Sequence, residues 1–451
     1  MTQRLRRVSS PRSLIAQLID TPELGPLLRA LPTAAFARLV QEIGVEDAGE
    51  LIALATTEQL VRAFDEDLFR NARPGEREAL DVKRFATWLE VLLEAGDGVA
   101  AQRVSELSEE FVAHALSGLV IVLDQEALRE QMGDGGDEAE RADKAIESTL
   151  SEELDGYLLL SREPDGWDAA LALVLALDRD HRALLVRLMD RCAAISAHLG
   201  EDLEALSDVL SEGASLAEDV EAEREQRRSR EGFVEPRAAR GFLTLARTPP
   251  SDEPRDANTR AYFRELGPTL PIAGALPDGT AKLLAAVERL SEESERASAP
   301  ARTRAQRQSL HGERSAFVEA MHALRDADVS AFDARTEELA YLANVLLAAG
   351  TGELGPFRPA EAAEAALATV ALGAELEASA GEHDGGERGE LLQAALTESL
   401  RKHTADRLFR VASSRLVGSA DKRHARGYLL ARGEVAQALV ALRKPTRARA
   451  K

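Results

Sequence analysis

The chain has 451 residues, 45% of them hydrophobic but only 4% aromatic, and its formal net charge at pH 7 is −22. This length allows two to four packed units. The strong negative charge argues against binding to nucleic acid or to an anionic lipid surface. A single cysteine excludes an intramolecular disulfide framework of the kind found in small secreted domains.

The two ends of the sequence are basic, because acidic residues do not occur before Asp20 or after Glu434. The basic residues of these ends are Arg4, Arg6, Arg7, Arg12, Arg443, Lys444, Arg447, Arg449 and Lys451. The pattern is typical of solvated termini. The alternative interpretation is that the ends bind an acidic surface, such as the body of a second copy.

The sequence lacks a stretch with the character of a signal peptide or a membrane span. The apolar residues 14–19 form a short, interrupted run, and the most apolar run, 171–177, stops at Asp178. We therefore expect a cytoplasmic protein without a membrane span.

Residues 24–67 resemble one two-helix unit written twice, with an offset of 24 positions. The aligned pairs are Gly25 and Gly49, Leu27 and Leu51, Leu28 and Ile52, Leu31 and Ala55, Phe36 and Leu60, and Val40 and Phe64. A repeat of this length predicts short helices that stack, because none of them can bury its apolar face alone. Two units seldom suffice, so we expect residues 11–20 or 85–93 to cover the open face, with Leu28, Ile52 and Trp88 in one core.

Residues 1–95 are assigned to this helical-repeat unit. Pro11, Pro22 and Pro32 each fit a helix start, and Gly44 fits a helix C-cap. A later helix is predicted from an apolar face with spacings of three and four, formed by Phe85, Trp88, Leu89, Leu92 and Leu93.

Residues 96–247 are predicted to be a middle helical region with a small β element. The runs near 119–123 and 157–161 are short, apolar and suited to strands. Such runs are also compatible with buried helix. Between them we expect an acidic loop at 133–138 and a charged helix, and after them strong helical periodicity from Trp167 to Arg230.

Residues 248–280 are rich in Pro and Gly and are predicted to be a linker, followed by a C-terminal helical bundle over residues 281–451. The long helices expected in that bundle run over 315–327, 330–349, 359–379, 387–416 and 426–442. The fold class predicted for the whole chain is therefore mainly α, with short N-terminal helical repeats followed by helical bundles.

Residues 350–355 match the G-x-G-x-x-G pattern of dinucleotide-binding proteins. That fingerprint requires a strand before it and a helix that opens inside it. Here a Leu/Ala-rich helix precedes the motif, and Pro356 and Pro359 follow it. We interpret the glycines as a helix C-cap and a turn, and we expect no nucleotide or other cofactor.

Candidate catalytic and metal-binding residues are scattered along the sequence. His181 and His198 lie too far from Cys192 along a helix to lower the pKa of its thiol, so we expect Cys192 to be a buried structural residue. The acidic groups 65–67 and 133–138 do not follow the EF-hand order, and the histidines lack a metal-binding spacing. We therefore assign no catalytic residue and leave a metal site undecided.

Three further patterns have simple interpretations. Residues 178–181 resemble an acid–base cluster but fit a helix–helix turn with Asp180 as the N-cap. Adjacent acids, as in the pairs Glu109–Glu110, Glu152–Glu153 and Glu337–Glu338, point in different directions on a helix and predict a solvated face. The basic stretch 302–307 has no interleaved aromatic residues, which argues against single-stranded nucleic acid as a ligand.

The stretches 31–65, 224–239 and 338–373 together resemble a family of uncharacterised bacterial proteins, of deltaproteobacterial and myxobacterial type. This resemblance implies no known activity and supplies no catalytic residues. The Leu/Pro/Glu spacing of residues 24–67 is also similar to the helical repeat in the cytoplasmic N domain of magnesium transporters. That similarity implies stacked helices and packing that responds to cations.

These observations predict a non-enzymatic interaction or scaffold protein that binds a protein partner or a second copy of itself. One alternative is an enzyme or ligand-binding regulator whose pocket lies between helical units. A second alternative is a regulator that responds to divalent cations through its acidic loops.

Overall fold

The computed structural model describes residues 24–71, 73, 75–127, 149–196, 203–250, 255, 257–265, 278–298, 317–352, 355–379 and 388–419. These residues are mainly α-helical, as the sequence predicts, with a few short antiparallel strands. Within the described residues, every helix is too short or too polar to cross a membrane.

The helices are, in chain order, α1 Leu24–Arg29, α2 Thr33–Ile43, α3 Gly49–Leu54, α4 Thr57–Asp67, α5 Val82–Glu94, α6 Asp97–Ser105, α7 Glu109–Leu119, α8 Trp167–Asp180, α9 Arg182–Ser196, α10 Leu203–Arg230, α11 Pro236–Leu245, α12 Ala257–Glu265, α13 Asp278–Ser298, α14 over residues 317–327, α15 Val329–Ala349, α16 Pro359–Ser379, α17 Arg388–Lys402 and α18 Ala405–Ser419. The strands are β1 Phe69–Arg70, β2 Ala79–Leu80, β3 Val120–Asp124, β4 Ser151–Leu154, β5 Tyr157–Ser161, β6 Thr351–Gly352 and β7 Gly355–Pro356.

Contacts divide the chain into two compact units, and both combine segments that are distant in sequence. Unit 1 comprises Met1–Arg70, Glu78–Arg224 and Pro271–Ser298. Unit 2 comprises Asn71–Arg77, Glu225–Leu270 and Ala299–Lys451. Within the predicted linker 248–280, residues 257–265 form helix α12, while 251–254, 256 and 266–277 lie outside the described residues.

The predicted repeat is present in unit 1 as the helix pairs α1–α2 and α3–α4. Helices α2 and α4 each span 11 residues, and matched positions such as Leu28 and Ile52 are both fully buried. Pro32 and Gly44 flank α2 as predicted, with φ +96° at Gly44, whereas Pro11 and Pro22 lie outside the described residues. The glycine permits this left-handed backbone, which ends the helix.

Gln59 joins the two repeats through hydrogen bonds. Its side chain closes a capping box with Thr56 at the start of α4, since Oε1 accepts from the Thr56 N–H. Its Nε2 donates to the carbonyl oxygens of Leu28 at 2.8 Å and Leu31 at 2.9 Å, beside the end of α1. One buried amide therefore satisfies groups at the ends of two helices.

Helix α5 covers one open side of the repeat, as the sequence predicts. Trp88 packs edge-on against Phe64 with ring centroids 4.9 Å apart. Leu28, Ile52 and Trp88 belong to one core, which confirms the predicted architecture. Residues 11–20, the other candidate cover, lie outside the described residues.

A second cover comes from α13, far along the chain. Its residues Leu283 and Val287 are buried in the same core, and the Thr280 hydroxyl donates to the Leu27 carbonyl oxygen at 3.3 Å. A Cβ at Gly279 would lie 2.5 Å from Leu27 Cδ2, so this contact uses the absence of a side chain. This contact of α13 with the repeat was not predicted from the sequence.

The predicted β element is confirmed and has three strands, in the order β3-β5-β4. Strand β3 pairs antiparallel with β5, and Val122 lies opposite Leu159 in the core. Strand β4 replaces the last part of the predicted charged helix, because residues 151–154 pair with β5 across the tight turn at Asp155 and Gly156. The acidic loop 133–138 lies outside the described residues.

Helices α8, α9 and α10 confirm the helical periodicity predicted after Trp167. The turn near residue 180 is also present, but the prediction that Asp180 is the N-cap was wrong. Asp180 ends α8 and pairs with Arg179 at 2.8 Å, whereas the His181 carbonyl oxygen accepts the first hydrogen bonds of α9.

Unit 2 has its own core, built from α11, α14, α15, α16, α17 and α18. Helix α16 begins at Pro359 and ends at Ser379, as predicted. The helix predicted over 387–416 was wrong as a single element, because it breaks between Lys402 and Ala405 into α17 and α18. The helix predicted over 426–442 lies outside the described residues.

Candidate functional site

Cys192 is fully buried in α9, as the sequence analysis expects. Its Sγ lies 3.6 Å from the Ala113 carbonyl oxygen in the core of unit 1. Burial raises the pKa of the thiol to about 12, so the reactive thiolate is strongly disfavoured. Burial likewise lowers the pKa of His114, the residue after Ala113. Neither environment is that of an activated nucleophile and its base.

The glycine motif has the structure that its context predicts. Gly350 is the C-cap of α15, and its N–H donates to the Leu346 carbonyl oxygen at 2.8 Å. Residues 351–352 and 355–356 form the short β6–β7 ladder, and α16 begins only at Pro359. The strand–turn–helix arrangement that would cradle a pyrophosphate therefore does not form here.

The acidic triplet 65–67 is used in contacts within the protein. Glu66 pairs with Arg62 at 2.7 Å, and Asp67 accepts from Arg84 Nε and from the Trp88 indole N–H, each at 2.7 Å. Among the described residues, His, Cys, Asp and Glu side chains form no group of three or more suited to a metal ion. The loop 133–138, the stretch 302–307, His198 and both basic ends lie outside the described residues.

Arg224 is the most buried arginine of unit 1 among the described residues. Its guanidinium forms an ion pair with Glu78 at 2.5 Å and donates from Nε and Nη2 to the Asp65 carbonyl oxygen. The same guanidinium lies 4.2 Å from the centre of the Phe69 ring. Arg224 thus ties α10 to the end of α4 and the β1–β2 hairpin.

A buried cluster of charged residues lies at the break between α17 and α18 in unit 2. We call it the junction cluster; its members are Arg255, Arg335, Glu338 and Asp406. Arg335 and Glu338 lie one turn apart on α15. Their side chains are only 9% and 3% exposed, so the charges are removed from water and require partners.

The pair on α15 satisfies the backbone groups that the break exposes. Arg335 Nη1 donates to the carbonyl oxygens of Leu400, at 3.2 Å, and His403, at 2.5 Å, at the end of α17. Glu338 Oε2 accepts the Ala405 N–H, at 2.7 Å, at the start of α18. A cation therefore faces the carbonyl end of one helix, and an anion faces the amide end of the next, as the helix dipoles favour.

Arg255 completes the junction cluster from outside these helices. Its Nε lies 3.0 Å from Asp406 Oδ1, its Nη2 donates to Glu338 Oε1, and its guanidinium carbon lies 4.5 Å from the centre of the Phe263 ring. Two guanidinium groups thus face two carboxylates, which balances the buried charge.

Burial and, next, the positive charge of Arg255 lower the pKa of Arg335 to about 10. Arg335 therefore remains protonated near neutral pH, and the close approach of a second cation has an electrostatic cost. Burial also lowers the pKa of His403, whose carbonyl oxygen accepts from Arg335. A guanidinium group that stays protonated near neutral pH stabilises nearby negative charge but does not act as a general acid or base there.

Aromatic residues from three helices adjoin this cluster. Tyr341 contacts Phe242, Tyr262 and Phe263, with ring centroids 4.6–5.8 Å apart. The Tyr341 hydroxyl lies 3.0 Å from the Thr259 hydroxyl, which places α12 against α15. This arrangement was not predicted, and the solvated face predicted for Glu337 and Glu338 was wrong for Glu338, which is 2% exposed. The i, i+3 spacing of Arg335 and Glu338 on α15 was a usable signal.

The comparisons address only family membership. A model of a family of unknown function, DUF6178, matches residues 2–246, which is more than half of the chain. The chain belongs to this family. The DUF6178 match confirms the expectation of a family without a known activity. It ends before the residues of the junction cluster. No curated protein and no solved structure matches the chain.

Proposed function

We propose that this DUF6178 protein is a non-enzymatic scaffold that binds a partner protein or a second copy of itself through charged helical surfaces in the cytoplasm. The proposal rests on one observation: the buried charged side chains are bound to other groups of the fold. In the described residues, Arg224, Arg335 and Glu338 bind other charged groups or backbone atoms of the fold. Their arrangement stabilises helices and does not present a reactive group.

The stacked helices of unit 1 support the proposal by analogy with other helical-repeat proteins. Stacked helix pairs such as α1–α4 bury their apolar sides against neighbouring helices and present polar outer faces, and partners bind to such faces in many repeat proteins. The similarity of residues 24–67 to the magnesium-transporter N domain is an analogy of the same kind.

The charge distribution supports an electrostatic contact. The net charge is −22, although the two sequence ends are basic. We propose that the basic residues between 443 and 451 bind an acidic surface of a second copy. Attraction between exposed charges weakens as salt shortens the screening length.

Sedimentation velocity of the full chain tests this contact. We expect self-association at about 0.05 M salt and its loss at about 0.5 M. Replacing Arg443, Lys444, Arg447, Arg449 and Lys451 with glutamine should abolish association at low salt. Replacing only the three arginines with lysine, which preserves charge, should retain it. Self-association that is unchanged by salt and by the glutamine substitutions would contradict the proposal.

The identity of a protein partner requires a separate experiment. Affinity purification with the tagged full chain, followed by mass spectrometry, should yield the same partner from the wild type and from the arginine-to-lysine variant. The glutamine variant should lose an electrostatically bound partner. Recovery of a tightly bound small molecule, with no protein, would instead favour a ligand-binding regulator.

A further inference from the structure

We propose that Glu338, Asp406 and Phe263 form a guanidinium-binding site, which the protein's own Arg255 fills. The two carboxylates and the aromatic ring come from α15, α18 and α12. Arg255 precedes α12 in sequence and belongs to the same unit as the three site residues. The ligand class of the site is a planar guanidinium cation, either the side chain of Arg255 or a free guanidinium compound.

The contacts match the shape of a guanidinium group. Two nitrogens of the Arg255 guanidinium meet two acceptors, Asp406 Oδ1 and Glu338 Oε1, while the guanidinium carbon lies over the Phe263 ring, 4.5 Å from its centre. Hydrogen bonding through two nitrogens combined with a cation–π contact fits a delocalised planar cation. A lysine ammonium lacks both the fork of donors and the flat face.

Groups other than Arg255 also stabilise the two carboxylates. Glu338 binds Arg335 at 2.6 Å and the Ala405 N–H at 2.7 Å. Asp406 lies in the first turn of α18, where the helix dipole favours a negative charge. The site should therefore persist when the Arg255 side chain is removed.

The negative charge of the site and its exposure to solvent also favour binding of a free guanidinium ion when the Arg255 side chain is removed. Without Arg255, the junction cluster would keep two buried carboxylates and one guanidinium group, that of Arg335, and its net negative charge would attract a cation. The Arg255 side chain is 24% exposed, so the site reaches solvent. The vacated site is expected to take up a free guanidinium ion.

Thermal unfolding of the full chain with added guanidinium ion tests the proposal. Arg255→Ala should lower the Tm, and millimolar guanidinium chloride should raise the Tm of this variant by about 2–4 °C with saturation. Wild type and Arg260→Ala, which alters an exposed arginine of α12, should show no such rise. Potassium chloride at equal ionic strength and neutral urea are the ligand controls.

The double variant Arg255→Ala, Asp406→Asn should lose the response to guanidinium. If Arg255→Ala does not fold in buffer, its refolding in millimolar guanidinium chloride, but not in potassium chloride, provides the same test. A response to potassium chloride equal to that to guanidinium, or an unchanged response in the double variant, would overturn the proposed site. These outcomes are independent of the self-association test because the readout is Tm at a fixed protein concentration.

Discussion

Arg224 illustrates how a single buried cation can join distant segments of unit 1. It contacts Glu78, the backbone of Asp65 and the ring of Phe69, and its side chain is only 3% exposed. A buried charge is costly unless each of its donors has a partner, so its stabilising effect depends on the whole arrangement.

We predict that Arg224→Ala lowers the free energy of unfolding by about 3–5 kcal/mol, because Glu78 and the Asp65 carbonyl oxygen lose their buried partner. The matched control is Arg191→Ala, which breaks the more exposed pair with Glu110 and should cost at most about 1 kcal/mol. Urea denaturation of both variants measures the difference. An equal loss of unfolding free energy in the two variants would show that the buried contacts of Arg224 contribute no more than an exposed ion pair.

Cys192 gives a prediction about pH. The thiol has an ordinary pKa of 9.0 in the unfolded chain and a pKa of about 12 in the folded protein. Between these values the unfolded chain releases a proton that the folded protein keeps, so stability falls as pH rises above about 9. The slope contributed by the thiol approaches about 1.4 kcal/mol per pH unit.

Urea denaturation from pH 8 to pH 10 should show this loss in the wild type and a smaller one in Cys192→Ala. The alanine variant still contains Tyr157, whose pKa is raised to about 12 by its hydrogen bond to Asp190. A disulfide reagent should label native Cys192 only at the rate of unfolding. Rapid labelling of the folded protein would refute a buried thiol.

At the scale of helices, Gly373 permits the close approach of α16 and α18. A Cβ at this position would collide with the backbone carbonyl oxygen of Leu408, which belongs to α18. Backbone atoms cannot move aside as the end of a flexible side chain can, so the helices would have to separate.

We predict that Gly373→Ala destabilises unit 2 by about 1–3 kcal/mol or more. Gly213→Ala in α10 is the matched control, because its Cβ would meet Ile195 only at an ordinary 3.9 Å. Alanine has the higher helix propensity, so the control should be neutral or gain up to about 1 kcal/mol. Thermal unfolding compares the stability of the two variants. An equal loss of stability in both would contradict the packing argument.

Local patterns predicted many elements correctly. The spacing of apolar residues indicated α5, and the proline indicated the start of α16. Two short apolar runs, the first of them rich in β-branched residues, indicated the pairing of β3 with β5. The break between α17 and α18 was not predicted because residues 402–405 contain neither proline nor glycine. Arg335 and Glu338 bind the exposed helix ends there, and that contact joins positions more than sixty residues apart.

At the scale of the whole molecule, the sequence does not show which distant segments share a core. Leu283 and Val287 of α13 pack with the N-terminal repeat across a separation of more than two hundred residues. Their helical spacing indicates an amphipathic helix but not its partner. For the same reason, the sequence does not show that the residues of the junction cluster lie together.

We predict that Leu283→Ala, although remote in sequence, reduces the hydrogen-exchange protection of amides in α2. Removing a buried leucine side chain costs about 2–5 kcal/mol, and the loss should appear where α13 covers the repeat. Arg289→Ala, at an exposed position of the same helix, is the control. Faster exchange confined to α13 itself, with α2 unchanged, would contradict this cover.

The position of α13 has a consequence for synthesis on the ribosome. Chains emerge from the N-terminus, and domains generally fold in that order. The apolar side of the repeat that α13 covers remains uncovered until residues 278–298 have been synthesised. This happens after α11 and α12 of the other unit have been made. Until then a newly made chain exposes Leu27 and its apolar neighbours, and exposed apolar surface of this kind promotes aggregation of a nascent chain.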